Sequence, residues 1–156
     1  AFHVASIIST RFSVVTTLAR TKIICDHLLQ IHGFEHQCRK VRASGLEVLE
    51  LEETGMAACR DIVEECRRAV IEDEVGAIVL GCAGMADLAD HIQNEIGVPV
   101  VEGVTAATKM IEAIAGLGLG TSKIGDLAYP LPKKLSGSVR HLEIGESGPT
   151  SAIRKN

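Results

Sequence analysis

Aromatic residues make up only 3% of this 156-residue chain and tryptophan is absent, so the stacking platforms that grip single-stranded nucleic acid are missing. Basic charge is not in excess either. A formal net charge of −4 removes the attraction on which binding to nucleic acid and to anionic membranes depends. No apolar run approaches the roughly 20 residues of a membrane span, and Ala1–Thr10 lacks the basic and long apolar regions of a signal peptide. The five cysteines (Cys25, Cys38, Cys59, Cys66, Cys82) include no Cys-x-x-Cys, and the six histidines are scattered. That argues against a zinc ribbon, a thioredoxin-like site or any bound metal. An odd number of thiols, set in apparent helices and strands, predicts a reducing cytoplasm.

What is present is ordinary globular composition, 46% hydrophobic and 23% charged, in a length suited to one domain with a real core. Strand and helix patterns alternate. Ala1–Ser9 reads as the end of a helix, and Arg11–Thr17 as a β-branched strand closing on a threonine pair. Leu18–His32 carries Ile24, Leu28 and Ile31 on one helical face and stops at Gly33. Cys38–Ala43 reads as a second strand whose Arg39, Lys40 and Arg42 form a solvated side, as do Glu52 and Glu53; Leu46–Leu51 fits an edge strand or a loop. In Gly55–Glu74, Cys59, Ile62, Val63, Cys66, Ala69 and Val70 share one face of a helix. Ala77–Gly81 follows as a buried strand, Met85–Gly97 as a helix and Val98–Val101 as a short strand entered through Pro99. Val104–Leu117 is the last helix, and from Thr121 the composition is that of a surface tail, weakly packed or disordered from Ser136. The expected fold is therefore α/β, a mainly parallel four-stranded sheet with flanking helices.

Cys82 is the candidate reactive residue. The strand ending at Gly81 runs through Cys82-Ala83-Gly84 into a helix, which places the thiol at the carboxyl edge of the sheet, where α/β proteins keep their ligands. A helix start there would favour thiolate over thiol. Thr16-Thr17 and Glu102-Gly103 end two other strands, so the three turns are expected around one crevice. Each assignment has a plainer rival: Cys82 as a packed thiol, the threonines and Glu102 as helix caps, His3 as a structural helical histidine.

The octet Ile78-Val79-Leu80-Gly81-Cys82-Ala83-Gly84-Met85 resembles the second cysteine motif of the aspartate/glutamate/hydantoin racemase superfamily, in its hydantoin and allantoin racemase branch. Phe2-His3, Arg11–Thr17, Gly97–Val100 and Leu117–Lys123 support it in the right order, and the likeness runs from about Ala1 to about Leu135. Ala83 and Gly84 stand where amino-acid racemases of the superfamily usually carry Thr and then His or Glu, so hydantoin-type rings are the expected substrates.

The resemblance implies a cofactor-independent racemase of two pseudo-symmetric lobes, each offering one cysteine to a small ring held between them. Cys82 would be one acid/base thiol; Thr16, Thr17, Ala83, Gly84 and Met85 would bind substrate, with Glu102 and His3 as further candidates. The chain then reads as the second lobe (residues 1–103), a helix and extended segment packing on the first lobe (104–135) and a tail (136–156), with the first lobe and its cysteine expected upstream of Ala1. A homo-oligomer is expected, without nucleic-acid or membrane partners. The alternatives are a decarboxylase or isomerase of the superfamily using a single cysteine, an aspartate/glutamate racemase, and a non-enzymatic α/β module.

Overall fold

Valine- and isoleucine-rich runs pair into one sheet where helices cover both faces. In the computed structural model, described over residues 1–47 and 56–143, strands β1 (Phe12–Thr16), β2 (Cys38–Ala43), β3 (Ala77–Leu80) and β4 (Val100–Val101) lie in the order β2-β1-β3-β4. Every pairing is parallel. The helices are α1 (Phe2–Ile8), α2 (Lys22–Ile31), α3 (Met56–Glu72), α4 (Ala89–Ile96) and α5 (Gly103–Gly116). The expected α/β architecture is the one found. Alternate strand residues point to opposite faces. Val15, Ile78 and Leu80 pack with Ile62, Cys66 and Ala69 of α3 and Ile92 of α4. Phe12, Val14 and Val79 pack with Ala5 of α1 and with Cys25 and Leu29 of α2.

The contacts divide the chain into two units, Ala1–Ala113 and Ile114–Asn156. The first holds the whole sheet. The second contains short 3-10 turns at Gly125–Leu127 and Gly137–Leu142, and Lys123 Nζ sits 4.9 Å above the Tyr129 ring. Residues 48–51 of the ambiguous Leu46–Leu51 stretch, the Glu52-Glu53 pair and the end of the tail from 144 lie outside the described residues.

At three places the structure extends or corrects the local expectation. First, Ile24, Leu28 and Ile31 do share a face of α2, but that face is exposed, and Cys25 and Leu29 on the adjacent stripe meet the sheet. A 3-10 turn at Ala19–Thr21 precedes Lys22 and sets that phase. Second, the segment after Cys82 begins as a 3-10 helix over Ala83–Leu88 and becomes α-helical only at Ala89. Gly97, at φ +75°, ends α4 in a conformation that a β-carbon would strain. Third, Arg42 is buried rather than solvated. It meets Asp73 through two bonds of 2.6 and 2.7 Å, Glu65 at 3.2 Å and Glu72 at 2.7 Å. Ser13 of β1 donates to the same Asp73 carboxylate at 2.8 Å. The cage joins β1, β2 and the end of α3.

Candidate active site

The sheet order creates a switch point. From β1, the chain reaches β2 on one side and later β3 on the other, and the carboxyl ends of β1 and β3 open a crevice there. Cys82 follows β3 at this edge and is half-buried. Gly81 brings it close to β1. A β-carbon at Gly81 would stand 3.0 Å from Thr16 Cβ and 3.2 Å from both Thr16 Oγ1 and Val14 Cγ1. Both neighbours are fully buried and have no room to yield.

Thr16 is a strut of this rim. Thr21 Oγ1 donates to the Leu18 carbonyl at 2.7 Å, so the 2.8 Å contact between the two hydroxyls is donated by Thr16. Thr17 is also buried, but its hydroxyl has no hydrogen-bond partner among the described residues. The Ala83 and Gly84 N–H groups likewise have no partner among the described residues, whereas the Met85 N–H is taken by the Cys82 carbonyl at 3.1 Å. The Met85 side chain is fully buried in the core.

Glu102 is the N-terminal cap of α5. Its carboxylate accepts from the Val104 N–H at 2.6 Å and the Thr105 N–H at 2.5 Å. Burial opposes its charge, yet the bonds from Thr105 and Val104 outweigh that cost and hold the carboxyl below its usual range. His3 is exposed and packs edge-on against Phe34, with ring centroids 4.8 Å apart, away from the Cys82 turn.

A hollow of 350 Å³ adjoins the turn, with Phe2, Cys25, Leu28 and Val104 in its wall beside Cys82 and Ala83. The sequence reading missed these wall residues, because they come from three separate helices. A larger hollow of 800 Å³ lies over the edge strand β4, lined by Gln93, Glu102 and Lys109 among others, and contains no thiol. Of the two hollows, the smaller one at the switch point is the one with thiols, Cys25 and Cys82, in its wall. The remaining thiols are poor acid/base groups. Burial pushes Cys66 up to about 12 and Cys38 up to about 11, and also raises Cys25 and Cys59. No cluster of metal-ligating side chains occurs among the described residues, and none of their helices is long and apolar enough to cross a membrane.

A doubly wound parallel sheet with one half-buried thiol at its switch point defines an α/β protein with a cysteine-bearing crevice. The chain belongs to the Asp/Glu/Hydantoin racemase family, whose model matches residues 1–111. It is 51% identical to the hydantoin racemase of Rhizobium meliloti over 137 residues, which cover 88% of this chain and 57% of the relative. Among solved structures it is similar to the allantoin racemase from Klebsiella pneumoniae (TM-score 0.81, 51% identity, 91% of this chain and 58% of that one). The allantoin racemase from Pseudomonas fluorescens is similar too (TM-score 0.78, 47% identity, 88% and 58%). The chain thus spans little more than half the length of these relatives.

Proposed function

We propose that this chain supplies one catalytic half of a cofactor-independent racemase of hydantoin-type rings, with Cys82 as one of two acid/base thiols. The observation that carries the reading is the position of Cys82. It alone among the five cysteines occupies the switch-point turn. Inverting a carbon acid requires a base on one face and an acid on the other. In one direction Cys82 Sγ takes the proton from C5 of the ring, and the electron pair moves into the adjacent ring carbonyl as an enolate. The opposite thiol then gives its proton to the other face as the enolate collapses, so each turnover leaves the two sulfurs with exchanged roles. The Ala83 and Gly84 N–H groups, without a partner among the described residues, are the donors available to the enolate oxygen, and the Thr17 hydroxyl is available to the ring. Thr16 and Glu102 hold the rim.

The opposite thiol comes from a second lobe. Cys25, Cys38, Cys59 and Cys66 are all raised by burial, and the relatives are nearly twice as long as the matched region. The exposed apolar Ile24 and Ile31 of α2 are surface that such a lobe, or another copy in an oligomer, would cover. The test is chiral chromatography of a single-enantiomer hydantoin or allantoin incubated with the 156-residue chain. The chain alone is expected to leave the enantiomer intact. Rapid inversion abolished by Cys82→Ser would remove the need for a second lobe, and inversion retained in Cys82→Ser would remove Cys82 from the chemistry.

A further inference from the structure

Resting on the racemase reading, we propose that the hollow beside Cys82 receives the C5 substituent of the ring and selects apolar substituents, alkyl or benzyl, over the polar carbamoylamino group of allantoin. The wall carries the argument. Phe2, Leu28 and Val104 supply hydrocarbon, Cys25 is buried behind them, and no charged or amide side chain lines the space. Val14 and Val79, both buried, close its floor. Its 350 Å³ adjoins the Gly81-Cys82-Ala83 turn directly, so a ring with its C5 at the thiol has its substituent next to this wall.

A carbamoylamino group carries three N–H donors and a carbonyl acceptor. Against these side chains its polar groups would exchange water for hydrocarbon, and each one left unpaired weakens binding. A benzyl or isobutyl group loses no such partner and gains from leaving water. A hydrophobic pocket discriminates by about tenfold to a hundredfold between an apolar group and a polar one of similar size.

Leu28 is the residue to change. It lines the hollow and is 41% exposed, so the core does not depend on it. The readout is alkylation of Cys82 by iodoacetamide, followed by peptide mass spectrometry, with 5-benzylhydantoin or allantoin as protectant. In the unmodified chain, 5-benzylhydantoin is expected to protect at a concentration about tenfold or more below that of allantoin. Leu28→Gln, and independently Val104→Thr, should narrow that ratio severalfold by offering polar partners. Protection by allantoin at an equal or lower concentration overturns the inference, as does an unchanged ratio in both variants, while the racemase reading survives either result. Absence of protection by both rings overturns the inference, whereas loss of the racemase reading is read separately from the C5 hydrogen exchange.

Discussion

Replacing Arg42 by methionine removes the guanidinium shared by Glu65, Glu72 and Asp73 and keeps an unbranched apolar stem in its place. Arg42 and Asp73 are 6% and 8% exposed, so the variant leaves Asp73 charged, buried and without a guanidinium, whereas Glu65 keeps its pair with Arg68. Breaking a buried ion pair by removing one partner costs about 3–5 kcal/mol. Glu72, half exposed, adds little. With a urea dependence of about 1–3 kcal/mol per molar, the midpoint of unfolding should fall by roughly 2 M, read by far-ultraviolet circular dichroism. The effect must also depend on pH in a defined direction. Burial opposes the Asp73 charge, but hydrogen bonds from Arg42 and Ser13 prevail and hold its carboxyl below the ordinary 3.8. A depressed carboxyl stabilises the fold above its unfolded pKa, and that stabilisation is lost as pH falls through the folded value. The gap between the two proteins should therefore be full at neutral pH and shrink as acid protonates the Asp73 carboxyl. Equal midpoints at neutral pH, or a gap that does not narrow in acid, would refute the reasoning.

Other outcomes follow from the same geometry. Gly81→Ala forces a β-carbon against buried Thr16 and Val14; it should cost about 1–3 kcal/mol and lower the calorimetric Tm by several degrees, and an unchanged Tm would contradict the crowding. Glu102→Ala removes the α5 cap, at about 0.5–2 kcal/mol. Amide exchange at Val104 and Thr105 should accelerate in that variant, and in the unmodified protein the cap should weaken as pH falls through the lowered carboxyl pKa. Among the thiols, Cys82 should alkylate well before Cys59 and Cys66, which burial holds in the protonated form; comparable labelling of Cys66 would count against that ranking.

Apolar runs such as Val14-Val15 and Ile78-Val79-Leu80 made the sheet legible from residues alone, since both of its faces are covered. The phase of α2 was not legible. Periodicity shows which residues share a stripe, whereas the start of the helix after Ala19–Thr21 decides which stripe meets the sheet. Arg42 was misread because its carboxylate partners lie 23 to 31 residues away on α3 and just beyond it. A lone arginine within Val41–Ala43, followed by an acidic stripe at Glu65, Glu72 and Asp73, was the available signal. At the site, the strand–glycine–cysteine turn pointed to Cys82 directly. The engagement of Thr16 depends on Thr21 across the 3-10 turn, and the wall of the hollow on α1, α2 and α5 meeting at one edge, which no local pattern encodes.

Exchange of the C5 hydrogen in deuterated water tests the half-racemase claim most directly. A lone acid/base thiol removes the C5 proton of one enantiomer of a 5-alkylhydantoin and returns a deuteron to the same face. Proton NMR should therefore show loss of the C5 signal for one enantiomer only, with its handedness kept, and Cys82→Ser should abolish it. Exchange at the solvent background rate, or exchange unaffected by Cys82→Ser, would contradict the account.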